Sequence, residues 1–166
     1  GAEQLYGEAA RMAQLDSGDT LLDLYCGAGT IGLSMAAACR QLVGAEIVPE
    51  AVENARANAA RMGACNARFL CADAAEAAQQ LLAEGLRPDV VVLDPPRKGC
   101  DEATLSTVAS MGPRRVVMVS CNAATAARDA AWLAAHGYAP EAVRPVDMFP
   151  RTKHVEAVIR FSRQAL

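Results

Sequence analysis

The sequence predicts an α/β domain built on a doubly wound, mostly parallel sheet. Three observations carry this expectation. Short apolar runs alternate with helical patterns along the whole chain, with little space between them. A glycine-rich turn, Asp23 to Gly32, joins the first of these runs to a helix. Val90-Val91-Val92-Leu93 is an uninterrupted apolar run of the kind buried on both faces of a parallel sheet.

Taken in order, residues 3–14 read as a helix and 20–25 as a short buried strand. A helix follows the glycine turn through about residue 39. Residues 41–47 form the second strand, with Glu46 at its end, and Pro49 stands where a first helical turn tolerates proline. Val48, Val52, Ala55, Ala59 and Met62 recur at helical spacing. Strand three falls at 67–71, a helix at 74–84, strand four at 90–93 and a helix at 101–111. Strand five falls at 115–120 and a long alanine-rich helix at 123–136. The last two strands are expected at 138–145 and 154–161. No internal repeat or low-complexity linker interrupts the series, so a single domain is expected.

At 166 residues the chain is large enough to bury one sheet-centred core. Hydrophobic residues make up 52% and charged residues 21%, an ordinary globular balance. No stretch approaches the roughly 18 uninterrupted apolar residues of a membrane span, and no signal peptide opens the chain. A cytoplasmic protein is expected.

The six cysteines, at 26, 39, 65, 71, 100 and 121, contain no Cys-x-x-Cys pair. With only His136 and His154 beside them, no structural zinc cluster forms at the usual spacings. A disulfide framework does not suit a core-rich chain without a secretion signal. Most of the cysteines are expected to be buried small hydrophobes.

The net charge of −3 argues against generic nucleic-acid binding. Its distribution says more. Residues 1–83 carry 5 basic and 10 acidic side chains, and residues 84–166 carry 11 and 9. Both lysines, Lys98 and Lys153, stand beside arginines, Arg97 and Arg151, in two segments that also hold candidate site residues. Each cation alone reads as a solvated loop charge; four together suit a phosphate backbone.

Gly27-x-Gly29-x-x-Gly32 follows a strand and opens a helix, where glycine allows positive φ and close approach of a ligand. Glu46, ending the next strand, can accept hydrogen bonds from both ribose hydroxyls. This pattern suits NAD(P) about as well as S-adenosylmethionine, and a tight turn with no ligand would also use such glycines. Asp73, after strand three, lies where a carboxylate could hold an adenine amino group. Asp94-Pro95-Pro96 fixes an extended loop at the carboxyl edge of the sheet, where ligands of such sheets bind. These two segments favour S-adenosylmethionine.

Cys121 ends strand five just before a helix, whose N-terminus stabilises a thiolate. Position alone favours one more buried cysteine, as at Cys39 or Cys65. Glu156 is a lone carboxylate in an apolar strand, either a solvent-facing edge residue or a positioned base.

Four segments, DLYCGAGTIGL, LDPPRKGC, SCNAATAARD and DMFPRTKHVE, occur in the order found in RNA uracil-5 methyltransferases. Across roughly residues 3–161 the chain resembles that family. The resemblance implies a Rossmann-like class I methyltransferase: a seven-stranded, mostly parallel sheet with helices on both faces and an antiparallel last strand. It implies S-adenosylmethionine as cofactor and rRNA or tRNA as partner. It makes Cys121 the nucleophile, Glu156 the proton-abstracting base, and places Asp94 near both the uracil edge and the cofactor. Tyr25, Gly27, Gly29, Thr30, Glu46 and Asp73 match cofactor-contacting positions. Arg97, Lys98, Asn122, Arg151 and His154 fall on the substrate side. No membrane, metal or iron–sulfur cluster is expected, and the chain is expected to be a monomer.

The chemistry suits these residue types. Carbon 5 of uracil is a poor nucleophile until a thiolate adds to carbon 6, and a base must then remove the carbon 5 proton to expel the thiolate.

The chain departs from the family pattern in three places. Ala123 stands where members often have proline, and Arg151 where they often have histidine. The Phe-x-Gln segment that precedes the first helix in the family has no match at Gly1-Ala2-Glu3-Gln4, and the family's N-terminal RNA-binding barrel is absent. An excised catalytic domain is therefore expected. The rivals are an RNA cytosine-5 methyltransferase, a cofactor-binding or RNA-docking module without activity, and, more distantly, a dehydrogenase. The first would place a cysteine where Arg97 follows the paired prolines.

Overall fold

A computed structural model describes residues 1–148 and 155–165. Seven strands are present among the described residues: β1 (Thr20–Leu24), β2 (Gln41–Glu46), β3 (Ala67–Cys71), β4 (Val90–Leu93), β5 (Arg115–Ser120), β6 (Tyr138–Asp147) and β7 (Val155–Arg163). They alternate with α1 (Ala2–Ala13), α2 (Thr30–Met35), α3 (Pro49–Met62), α4 (Ala74–Ala83), α5 (Glu102–Met111) and α6 (Ala123–Ala135). The strands join one sheet in the order β3-β2-β1-β4-β5-β7-β6. β1 to β5 run parallel, and β7 lies antiparallel between β5 and β6. This is the seven-stranded, mostly parallel sheet with helices on both faces that the sequence predicts.

Side-chain alternation sorts the core into two layers. Leu21, Val90, Val92, Val117 and Val119 point towards α1, α2 and α3, where Leu5, Ile31, Val52 and Ala55 meet them. Leu22, Leu24, Val91, Leu93, Val116 and Met118 point towards α4, α5 and α6, against Leu81, Leu105 and Leu133. Each fully buried leucine or valine here contributes roughly 1.5–3 kcal/mol of transfer free energy. Double burial is why β4 reads as a continuous apolar run rather than an alternating one.

The differences from the expected elements have local causes. Tyr25 leaves the first strand with φ 59°, turning the chain into the glycine loop. α2 stops at Met35 and gives way to a three-residue 3-10 turn, Ala36–Ala38, so the helix ends earlier than expected. In α3, Val52, Ala55 and Ala59 are buried, but Val48 (49% exposed) and Met62 (57%) lie at its two ends, beyond the sheet's cover. β6 continues past Pro145 to Asp147 with a register irregularity between Pro140 and Ala142. An edge strand tolerates both prolines because its outer N–H groups are not needed. Only Cys26, Cys39 and Cys100 are buried; Cys65 and Cys71 are exposed and Cys121 is half-buried. Cys65 lies beyond the end of α3, and Cys71 ends the edge strand β3.

The amino edge of the sheet is fastened by a buried carboxylate. Asp19 accepts from Arg114 Nη1 at 2.9 Å and Nη2 at 2.5 Å, and from the Asp16 N–H at 2.7 Å. The guanidinium holds the Asp19 carboxyl below the usual carboxylate range. Arg114→Ala is expected to destabilise the fold by about 2 kcal/mol at neutral pH. Because the Asp19 pKa is lowered on folding, this stabilisation is present above the ordinary carboxylate pKa and is lost as pH falls through the folded one. Denaturant midpoints of the two proteins should therefore converge as pH falls below the ordinary carboxylate range.

Candidate active site

The strand order reverses between β1 and β4, and ligands of open α/β sheets bind outside the strand ends at such a point. A cavity of about 400 Å³ lies there, lined by Tyr25, Glu46, Ile47, Asp73, Asp94 and Lys98 among others. Of the glycine-rich turn only Tyr25 lines it; Gly27 reaches the cavity's Glu46 through its N–H, while Gly29 and Thr30 lie behind. Gly27 and Gly29 have φ of 56° and 79°, a region that side chains rarely adopt. A Cβ on Gly29 would come within 3.1 Å of Phe69 and 3.2 Å of Ala55, so the loop sits directly on β3 and α3.

Glu46 is pinned by its own surroundings: Oε1 accepts from the Gly27 N–H at 3.0 Å and Oε2 from the Val48 N–H at 2.9 Å. Each oxygen keeps a lone pair for a ligand. Asp73 is the residue before α4, yet its carboxylate makes no capping bond with that helix. Thr30 begins α2 and is exposed. The acceptor-rich carboxylates favour a ligand that carries hydroxyl and amino donors and positive charge, and they oppose a pyrophosphate.

Asp94 follows β4, its N–H donating to the Leu24 carbonyl at 3.3 Å. Burial, and then the nearby Glu156 charge, push its carboxyl up to about 7. Glu156 reaches Asp94 because β7 runs backwards. The last paired position of β5 is Ser120, opposite Ala157, so Cys121 and Glu156 leave the ladder at the same end. Asp94, Cys121 and Glu156 thus gather at one edge of the sheet, from three adjacent strands.

Cys121 sits in the bend between β5 and α6 rather than in the strand itself. Asn122 begins the helix, its side-chain oxygen accepting from the Ala124 and Thr125 N–H groups at 3.0 and 3.4 Å. Cys121 does not line the cavity of Glu46 and Asp73. It opens on a separate apolar cavity of about 500 Å³, bounded by Ala126, Ala130, Val143 and Ile159. Arg97 and Lys98 are exposed. Arg151, Lys153 and His154 lie outside the described residues.

Beneath this edge, one face of α6 grips the loop that follows Asp94. Asn122 Nδ2 and Thr125 Oγ1 donate to the Arg97 carbonyl at 3.2 and 2.9 Å, and Arg128 Nη2 donates to the Lys98 carbonyl at 2.7 Å. Asp129, 2% exposed, accepts the Cys100 N–H at 2.8 Å. The helix that follows the cysteine therefore also fixes the loop that carries the aspartate.

The comparisons with known proteins agree with this architecture. The family model described as tRNA (uracil-5-)-methyltransferase matches residues 2–164. The chain belongs to this family. An uncharacterized RNA methyltransferase of Staphylococcus aureus (strain COL) is 49% identical over 160 residues, which is 96% of this chain and 35% of that protein. Another, from Bacillus cereus, is 48% identical over 159 residues, again 96% and 35%. The chain thus spans about a third of the length of the curated relatives it matches. Among solved structures, the Pyrococcus abyssi tRNA (uracil-54, C5)-methyltransferase in complex with S-adenosyl-L-homocysteine aligns with a TM-score of 0.77 and 31% identity. The alignment covers 95% of this chain and 38% of that one. Precorrin-6y C5,15-methyltransferase of Geobacter metallireducens shares the fold alone, with a TM-score of 0.81 at 17% identity.

In this uracil-5 family domain the pattern reading missed Asp23, Ile47 and the α6 grip. Ile47 had a signal, an apolar residue directly after an acidic strand end. Asp129 lay within a matched segment, but only the structure shows what it binds. Asp129→Ala leaves the buried Cys100 N–H without its acceptor and is expected to destabilise the domain by about 1–3 kcal/mol. Hydrogen exchange at residues 97–101 should accelerate with it. Among the described residues, no group of acids, histidines and cysteines could hold a metal ion, and no helix is long and apolar enough to cross a membrane.

Proposed function

We propose that this chain is the catalytic domain of an RNA methyltransferase that uses S-adenosylmethionine to methylate carbon 5 of a uridine through a covalent cysteine adduct. The observation that supports this best is that Asp94, on the wall of the Glu46 cavity, stands beside Glu156, while Cys121 leaves the adjacent strand at the same end of the sheet. S-adenosylmethionine, when bound, supplies an electrophilic methyl group. The cavity's size and its carboxylate lining suit it. In this reading Glu46 takes the ribose hydroxyls, Asp73 the adenine amino group and Ile47 a face of the adenine ring. Tyr25 lines the same cavity, and Gly27, Gly29 and Thr30 belong to the turn beside it, within reach of a bound donor's remaining groups.

The chain's own residues do the rest. Cys121, as thiolate, adds to carbon 6 and returns electron density to carbon 5. Glu156 accepts the carbon 5 proton, and the electron pair released expels the thiolate. Asp94 meets the base edge, accepting the ring N–H when ionised or donating to a carbonyl when protonated. Arg97 and Lys98 meet phosphate, with Asn122, Arg151 and His154 on the same side. The RNA is a tRNA or an rRNA, selected by parts of the whole protein outside this domain, and the reaction belongs to the cytoplasm. The absence of a cysteine at Arg97 weighs against cytosine as the base.

The test is intact-protein mass spectrometry after incubation with S-adenosylmethionine and a short RNA carrying 5-fluorouridine. Fluorine cannot leave carbon 5 as a proton does, so a stable adduct with the mass of methylated RNA should form. No adduct in a protein shown to bind the donor would sink the covalent reading.

A further inference from the structure

The wall behind the cavity holds a carboxyl with no assigned role. Asp23 lies on β1 under α2 and is 1% exposed. Its Oδ2 accepts the Gly32 N–H at 3.2 Å, and no group reaches Oδ1 among the described residues. α2 is packed hard against it: a Cβ on Gly32 would lie 2.7 Å from Oδ2. A buried oxygen without a donor is costly when it carries charge.

Its neighbours increase that cost. β2 contributes Glu46, the loop after β4 contributes Asp94, and its own loop contributes Cys26. α2 offers only the Gly32 N–H. On the far side of Asp94, β7 adds Glu156. Among the described residues, the cavity in front carries Glu46, Asp73, Asp94 and Asp101 against one cation, Lys98. The ion pairs among the described residues engage Arg11, Arg68, Arg114, Arg128 and Arg160, none of them with Asp23, Glu46 or Asp94. Such an arrangement retains protons until a positive charge arrives.

We propose that the Asp23–Asp94 pair reads the charge of the methyl donor. A proton held on the pair leaves when a sulfonium-bearing ligand enters the cavity and stays when the uncharged thioether product does. The site then discriminates donor from spent product, more strongly as pH rises. The proposal rests on the reading that this cavity holds S-adenosylmethionine. Asp23 does not line the cavity and acts as a positioning residue, through its field and through Gly32.

The pH window follows from the two groups. Burial, then the Asp94 charge, raise Asp23 to about 8, and Asp94 itself stands at about 7. Below about pH 6 both are protonated, so a cation must displace a proton and binds less tightly. Above about pH 9 neither holds a proton and the affinity levels off. Between these limits each proton released steepens donor binding by up to about tenfold per pH unit.

The experiment is titration calorimetry of this chain with S-adenosylmethionine and with S-adenosylhomocysteine from pH 6 to 8.5, in buffers of different ionisation heat. Donor binding should release protons near pH 7 and tighten by about tenfold across the range, with product affinity changing by less than about threefold. Asp23→Asn should reduce the proton release and flatten the donor-to-product ratio. Equal proton release with both ligands, or a ratio independent of pH, would overturn the inference even if the variant does not fold, because the unmodified chain alone decides it. Binding of neither ligand at any pH would overturn the cavity assignment itself, a result distinct from binding with a flat ratio.

Discussion

Cys121→Ala is expected to reduce methyl transfer by roughly four orders of magnitude or more, the scale seen when a covalent nucleophile is removed. Its effect on donor binding should be small. The bend that carries Cys121 does not depend on the thiol. Ser120 Oγ donates to the Asn122 carbonyl at 2.9 Å and accepts the Asn122 N–H at 3.1 Å, closing the turn around the cysteine. The Glu46 cavity, where the donor is proposed to bind, is lined by other residues. Donor affinity should therefore stay within about twofold, the range of a substitution away from a binding contact. Single-turnover assays on tRNA and rRNA fragments, beside calorimetry with the donor, separate the two effects. A mutant that still methylates would remove the nucleophile assignment, and a large loss of donor affinity would mean that the two cavities are coupled.

Glu156→Gln is expected to leave the first half of the reaction intact and slow the second. Glutamine preserves the size of a half-buried side chain on β7 but cannot take a proton. The covalent adduct should accumulate with ordinary uridine RNA, and its decay should slow by about 10²–10⁴-fold, the usual scale of general-base loss. A second effect is specific to this geometry. The Glu156 charge is one of the two causes that raise Asp94, so the variant should lower the Asp94 pKa below its value of about 7. NMR titration of the aspartate carboxyl carbons measures that shift without any activity. Normal turnover by the variant would sink the base assignment, and an unmoved Asp94 would mean that the two carboxyls do not face each other.

Much of the fold was legible because the forces that set it are local. Strands 67–71, 90–93 and 115–120 were placed correctly, since apolar runs bounded by turns and helices leave little freedom. Boundaries slipped where a tertiary partner decides them. Tyr25 was assigned to a strand, but the chain must turn there to bring Gly27 to Glu46. The expected strand 138–145 runs on to Asp147, because the edge position of β6 makes Pro145 harmless. Cys65 looked buried because composition cannot tell a helix end from a helix face. The candidate site was legible where it follows strand ends, as at Glu46 and Asp94. It was opaque where residues act across the sheet. Asp23 reads as one more motif residue until Asp94, Glu46 and Gly32 surround it, and Asp129 reads as a helix charge until Cys100 docks on it.

The backward course of β7 has a consequence in time. A ribosome delivers β6 before β7, yet β7 lies between β5 and β6 in the finished sheet. β6 therefore has no edge to join until the last strand has emerged and inserted. The described residues that line the Glu46 cavity come from the first 101, and the α6 residues that hold their loop from 122–129, so both are made before the last strand. Glu156 reaches its place only when that final insertion closes the sheet. On the proposed reading, a nascent chain would hold its methyl donor before it owned the base needed to finish a turnover, so synthesis itself would keep the domain idle until it is whole.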